Sequence, residues 1–271
     1  GCVPKKLFVY GSQFREEFES ARGYGWAVDN ISFDWDRLRD NKTAEIERLN
    51  GVYKKILTSA GVEIIEGRAI LSGAQEIEIN GKRISAERIL IATGSWPYIP
   101  EFPGCEHVID SNQVFYLRDL PKKALVVGGG YIAVEFAGIF NGLGVETDLC
   151  YRGPLFLRGF DDDVRAFVKT EVSKKGVNLI FNKEVTDVAE KLNGVLGTTF
   201  NDGSATDYDL VLYATGRRPK TANLGLEALG VELTGTGAIK VNDSTLKLAS
   251  TAENALKTVP IHLDITAVGV G

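Results

Sequence analysis

The sequence predicts an α/β fold, and three observations carry the prediction. From Ala124 to Ile180 short apolar runs alternate with stretches of helical periodicity, the pattern of a parallel sheet with helices on its faces. One of those runs, Leu125-Val126-Val127, opens directly into Gly128-Gly129-Gly130-Tyr131-Ile132-Ala133, a G-x-G-x-x-A turn between a strand and a helix. Two segments, Ala92-Thr93-Gly94 and Ala214-Thr215-Gly216, close apolar runs in the same way. They are read as exits from, and returns to, a neighbouring domain.

The elements follow in order. Residues 1–20 predict a helix, with Pro4 in the tolerated first turn and Leu7, Phe8, Gly11, Phe14 and Phe18 on one face. A loop with Tyr24 and Trp26 leads to a longer helix from about Trp35 to Ala60. Leu38, Ile46, Leu49, Val52, Tyr53, Ile56 and Leu57 form its apolar face, and Gly61 closes it. Val62 to Ile91 reads as short strands turning at Gly73 and Asn80-Gly81, and Ile89–Ala92 as a buried strand. Prolines at 97, 100, 103 and 121 mark residues 95–121 as a connector and domain boundary. Then come a strand over Ala124–Val127, a helix over Tyr131–Leu143, a strand over Glu146–Tyr151, a helix over Val164–Lys175 and a strand over Val177–Ile180. A meander at 185–209 precedes a last strand at Leu210–Ala214.

Bulk properties exclude several classes. The chain has 271 residues, 44% hydrophobic and 25% charged, enough for one large or two ordinary domains with a core. A net charge of −5 does not advertise nucleic-acid binding, and no apolar run approaches a membrane-spanning length. Cys2, Cys105 and Cys150 are odd in number and far apart, which fits a reducing compartment rather than a secreted disulfide scaffold. A cytoplasmic or organellar setting is expected. His107 and His262 have no metal-ligand spacing. The chain opens on Gly1-Cys2 and contains no methionine, so it is read as a piece of a longer or processed protein.

The glycine-rich turn has a physical reading. Gly128 makes the tight turn, Gly130 lets a pyrophosphate approach the backbone at the helix start, and Ala133 allows close helix–sheet packing. The bland alternative is a plain strand-to-helix turn. An NAD site usually carries an acid about 20 residues on, to hold the ribose 2′-hydroxyl. Here Tyr151 and Arg152 stand there, with Arg158 beyond them. Two cations suit a 2′-phosphate, so NADP is expected, unless both arginines are simply solvated surface charges. Asp148 lies nearby but earlier in the strand.

Gly1-Cys2-Val3-Pro4-Lys5-Lys6 places a cysteine at a helix start beside cations, the surroundings of a reactive thiol. From these six residues alone an inert cysteine is an equal reading. The motif resembles the second half of the redox motif of the pyridine nucleotide–disulfide oxidoreductases, in the form typical of glutathione and trypanothione reductases. The similarity continues through Tyr24-Gly25-Trp26, Arg48–Tyr53, Ile89–Ser95, Gly128–Gly138, Leu157–Asp161 and Ala214–Pro219, covers nearly all of residues 1–243, and is closest in texture to the plant-type glutathione reductase family.

That resemblance implies roles. Cys2 would be the redox cysteine nearest a flavin, and Lys5 would sit beside the flavin paired with Glu135. Tyr131 would be an aromatic gate, and Tyr53 would contact glutathione disulfide. Gly128, Gly130, Ile132, Ala133, Arg152 and Arg158, with Thr93, Gly94, Gly216 and Arg217, would contact the cofactors, FAD and NADP. Read without the resemblance, Tyr131 covers a helix start, Glu135 is a first-turn acid and Tyr53 is an edge aromatic.

The implied architecture is a Rossmann-like NADP-binding domain, residues 92–218, inserted in a partial FAD-binding domain. Residues 1–91 supply the first part of the latter, and 219–271 return to it with an atypical tail. The implied activity is NADPH-dependent reduction of glutathione disulfide by a homodimer, using FAD and a cysteine pair. The family's partner cysteine, its FAD fingerprint and its interface domain have no counterpart in these 271 residues, so the chain alone is expected to be inactive. A trypanothione or thioredoxin reductase, or a non-catalytic NADP-binding module, stays open as an alternative.

Overall fold

The structure, a computed structural model, describes residues 1–241. The chain gathers into two compact units: Gly1–Lys54 with Pro97–Gly216, and Lys55–Trp96 with the residues from Arg217 on.

Helix α1 spans Cys2–Gly23 and α2 spans Trp35–Ser59. Phe8 is fully buried between the rings of Trp35 and Phe115, while Phe14 on the predicted face is mostly exposed. The predicted five-residue face of α1 is therefore narrower than its apolar spacing suggested. Gly11 lets α2 approach, since a Cβ there would lie 2.8 Å from Leu38 Cδ2. Trp35 anchors the start of α2 by donating Nε1–H to Leu117 O at 2.9 Å. Lys42 is buried two turns further along the same face. Its ammonium donates to Phe115 O (2.8 Å) and lies over the Tyr116 ring, and burial lowers its pKa. The C-terminal half of the α2 face, Val52 to Leu57, is exposed, where the periodicity predicted a packed stripe. No described element covers it.

In the second unit β1 (Ala69–Gly73), β2 (Glu76–Ile79) and β3 (Lys82–Ser85) form an antiparallel sheet. Asn80 and Gly81, with φ of 52° and 74°, make the β2–β3 turn, as the Asn-Gly pair predicts. The predicted strand over Ile89–Ala92 is not a strand. Ile89 and Ile91 pack against Leu71, Leu226 and Val231, but Leu90 points outward, 63% exposed. A strand buried on both faces needs flanking strands, and no described strand pairs with this segment. A short strand β4 (Ser95–Pro97) follows it.

The region read as a connector is more ordered than its prolines suggest. It holds β5 (Ile109–Asp110) and the one-turn helix α3 (Ser111–Val114), capped by Asp110 in a reciprocal box with Gln113. Beyond it lie β6 (Lys123–Val127), α4 (Tyr131–Gly142), β7 (Glu146–Tyr151), α5 (Asp162–Lys174), β8 (Asn178–Phe181), β9 (Val185–Glu190), β10 (Leu196–Phe200), β11 (Ala205–Tyr208), β12 (Leu210–Tyr213) and β13 (Arg217–Pro219). Five of these strands form a parallel sheet in the order β5-β12-β6-β7-β8. Strands β9, β10 and β11 form the predicted antiparallel meander.

Strand periodicity explains why β6 and β12 read as unbroken apolar runs. Ala124, Val126, Leu210 and Leu212 join a core with Phe8 of α1 and Phe136 and Phe140 of α4. Leu125, Val127, Val211 and Tyr213 point to the other face, against Val188, Leu196, Phe200 and Tyr208 of the meander. Both faces are covered, so both sets of alternating residues are apolar. Helices α1 and α4 cross closely at Gly142, where a Cβ would lie 2.7 Å from Ser12 O.

Candidate functional site

The chain runs from β6 through α4 to β7 on one side, while β12 pairs β6 on the other. The carboxyl ends of β6 and β12 therefore flank a switch point, where parallel sheets open a crevice for ligands. The glycine-rich turn sits there. Gly128 has φ 149°, and a Cβ on it would lie 2.4 Å from Ala214 O and 3.2 Å from Ala133 Cβ. Turn, helix and the exit of β12 share one small volume, which requires Gly128 and keeps Ala133 small and fully buried. Gly130 is the N-cap of α4, and a Cβ there would meet nothing within 4 Å. Its backbone faces open space at a positive helix end, which suits a phosphate. Tyr131 is exposed beside it, and Ile132 packs on the core.

The end of β7 is built against the same turn. A Cβ on Gly129 would lie 2.3 Å from the Tyr151 ring, and one on Gly153 2.7 Å from it. The Tyr151 ring therefore fills the space between two glycines. Leu157 N–H donates to Gly129 O at 2.6 Å, and Leu157 itself adopts φ 58°. The loop between β7 and α5 carries Arg152 and Arg158, both exposed; Arg152 Nη1 is 3.7 Å from Glu184 Oε1. Asp148, the nearby acid, is committed inside the fold. It is buried and accepts from Tyr208 Oη (2.6 Å) and Asn178 Nδ2 (3.0 Å). The tyrosine hydroxyl, buried against that carboxylate, has its pKa raised.

The cysteine end of α1 reaches the same helix. Cys2 is exposed in the first turn of α1. One turn on, Lys5 Nζ lies 2.5 Å from Glu135 Oε1 of α4, with both side chains partly buried. The thiol-bearing helix and the dinucleotide-type helix are thus joined near their N-termini by an ion pair, with Glu135 just past the first turn of α4 rather than in it as the sequence suggested. Cys150 contrasts with Cys2: it is buried in β7, donates Sγ–H to Lys183 O at 3.4 Å, and burial pushes its thiol up to about 12.

The remaining predicted residues lie elsewhere. Tyr53 is exposed on α2. Thr93 and Gly94 are exposed just before β4. Gly216 has φ 146° and accepts from Tyr98 N–H at 3.0 Å. The guanidinium of Arg217 is occupied by Ser95, through Nε to Oγ at 2.8 Å and Nη2 to O at 2.5 Å. Sequence reasoning missed the packing role of Tyr151 and the clamp at Leu157. Gly153, two residues after Tyr151, was half of a sign of the first, but Gly129 lies in the distant glycine-rich turn, and a left-handed leucine has no sequence signal. Among the described residues no cluster of His, Cys, Asp and Glu could hold a metal, and no helix is long and apolar enough to cross a membrane.

Comparison with known proteins agrees with this geometry. Residues 1–250 match the family model described as pyridine nucleotide-disulphide oxidoreductase. Glutathione reductase of Burkholderia cepacia is 43% identical over 270 residues, 100% of this chain and 60% of that protein. The chloroplastic/mitochondrial glutathione reductase of Pisum sativum is 43% identical over 244 residues, 90% of this chain and 44% of that protein. A plant-type character is therefore not singled out, and the chain spans about half the length of these relatives. The HOCl-induced flavoprotein disulfide reductase RclA of Escherichia coli superposes with a TM-score of 0.78 at 27% identity, over 94% of this chain and 55% of that one. Sequence and architecture converge: the chain belongs to the pyridine nucleotide-disulphide oxidoreductases, as a glutathione reductase-like member.

Proposed function

We propose that this chain is the pyridine-nucleotide portion of an NADPH-dependent glutathione-disulfide reductase that also uses FAD. The observation that carries the proposal is the Lys5–Glu135 pair, because it ties a helix-start cysteine to the helix whose N-terminus suits a dinucleotide phosphate. Gly128, Gly130, Tyr131, Ile132 and Ala133 hold the NADP pyrophosphate and nicotinamide side, and Arg152 and Arg158 hold its 2′-phosphate. Thr93, Gly94, Gly216 and Arg217 line the cofactor side of the connections. Residues 92–218 are the inserted NADP-binding domain, and 1–91 and 219–271 belong to the FAD-binding one; residues 242–271 lie outside the described part. In the whole protein Tyr53 contacts glutathione disulfide, and two copies act as a dimer in the cytoplasm or an organelle.

The described residues fit NADP well, with an open backbone at Gly130 and exposed cations past β7. They fit a flavin only at the Cys2–Lys5 end, since they contain no second glycine-rich strand-to-helix turn for its pyrophosphate. When bound, NADPH supplies hydride and a flavin relays the electrons to the disulfide. The protein's own part is positional. Glu135 fixes the Lys5 ammonium, Cys2 presents a thiol at a positive helix end, and the arginines select the phosphorylated ribose.

Nucleotide binding to the 271-residue chain tests this reading. Replacing Arg152 and Arg158 together by serine is expected to weaken NADPH by a few kcal/mol, at on the order of 1.5–3 kcal/mol per charge-assisted contact. NADH, lacking the phosphate, should change little. Equal weakening of both nucleotides would remove the NADP assignment.

A further inference from the structure

We infer that Arg165, on the first turn of α5, is a positioning residue for nucleotide selection: it holds the loop that carries Arg152 and Arg158 in the shape that reads a 2′-phosphate. The inference rests on the NADP reading above. Arg165 touches neither Arg152 nor Arg158 in the contacts it makes. It acts on the backbone between them.

Its guanidinium is mostly buried, with a side chain 17% exposed. Nε donates to Phe156 O at 2.8 Å and Nη2 to Leu155 O at 2.7 Å, while Nη1 pairs with Asp162. Two successive carbonyls of the loop are thus held by one planar group. Phe156 between them is fully buried, its ring 5.7 Å from that of Phe181. The next residue, Leu157, adopts φ 58° and ties its N–H to Gly129 O in the glycine-rich turn. Gly153 O, at the other end of the loop, accepts from Asn182 N–H at 3.2 Å.

These contacts make a chain of restraint. A left-handed leucine is disfavoured by its Cβ, so Leu157 needs its neighbours to hold it. Arg165 fixes the two residues before it and the Gly129 carbonyl fixes the residue itself. Arg158 follows immediately, so its backbone origin is set relative to the start of α4, where the pyrophosphate would lie. Cations held in place by the fold lose less freedom on meeting a phosphate than cations on a slack loop. Lysine replaces the arginine only in part, because a single ammonium lacks the planar fork that spans two carbonyls and a carboxylate.

The test measures binding of 2′,5′-ADP, 5′-AMP, NADPH and NADH to the full chain and to its Arg165→Ala and Arg165→Lys variants, with circular dichroism to check folding. The wild-type chain should prefer 2′,5′-ADP over 5′-AMP. Arg165→Ala should weaken 2′,5′-ADP and NADPH by roughly tenfold or more, about one charge-assisted contact, and leave 5′-AMP and NADH within about twofold. Arg165→Lys should lose part of the same selectivity. An Arg165→Ala variant that keeps the wild-type preference, or weakens all four probes alike, overturns the role of Arg165 and leaves the NADP reading standing. Should Arg165→Ala fail to fold, Arg165→Lys decides: unchanged selectivity overturns the role, and a selective loss supports it. A wild-type chain that binds 2′,5′-ADP no better than 5′-AMP overturns the NADP reading itself, and the role of Arg165 falls with it.

Discussion

The parallel sheet of the first unit and the β1–β3 sheet of the second are built on different terms. In β6 and β12 almost every side chain is buried, because helices cover one face and the meander covers the other. In β1–β3 only Leu71 and Ile79 are buried, and nearby Val62, Ile64, Ile65, Ile70 and Leu90 are substantially exposed. Similar apolar sequences therefore yield different burial, and the difference lies in what the described chain provides as cover. The lesson is that an apolar run reports a demand for burial, which neighbouring elements then meet or leave unmet.

The contrast can be broken most directly by truncation. Leu212→Ala, in the middle of the parallel sheet, should cost about 2–5 kcal/mol, whereas Leu90→Ala should cost within about 0.5 kcal/mol. Urea unfolding of each variant measures this. Equal losses would mean that Leu90 is buried in solution and that the second unit is as well covered as the first.

A smaller effect sharpens the account of the switch point. Gly128→Ala puts a methyl group into Ala214 O on a left-handed backbone and should cost about 1–3 kcal/mol. Gly130→Ala meets open space and should leave the urea midpoint nearly unchanged while weakening NADPH. If Gly130→Ala leaves NADPH binding intact, the open backbone there is not the phosphate cradle.

The last effect is one of pH. The Cys150 thiol is raised from 9.0 to about 12 by burial. The folded chain then holds that proton more tightly than the unfolded one, so the associated stability is complete below about pH 9 and lost as pH rises towards 12. The urea midpoint of the wild-type chain should fall more steeply across that window than that of Cys150→Ala. Parallel slopes would show that the thiol titrates normally in the fold.

Much of the first unit was legible because its elements obey simple local rules. Leu125–Val127 before three glycines reads as a strand entering a helix, and in the second unit Asn80-Gly81 announced its hairpin. Other features were set by distant partners. Ile89–Ala92 carried a strand's composition, but strand formation needs a neighbour to share hydrogen bonds with, which composition cannot specify. Strand β5 was hidden among prolines because its pairing partner, β12, lies about a hundred residues on. Cys2, Lys5, Glu135 and the two arginines were readable as residue types in motifs. The Lys5–Glu135 contact, 130 positions apart, was implied only by resemblance, and the backbone clamp on Leu157 by nothing in the sequence.

The two ends of the segment 98–216 meet: Tyr98 N–H donates to Gly216 O, and Thr215 Oγ1 donates to Tyr98 O at 3.0 Å. A stretch of chain that begins and finishes at one point is topologically a closed cassette. The residues that flank it need be no farther apart with the cassette in place than without it. By the same geometry, drift in length anywhere inside the cassette stays inside it, so its loops can lengthen or shorten without dragging on the polypeptide outside.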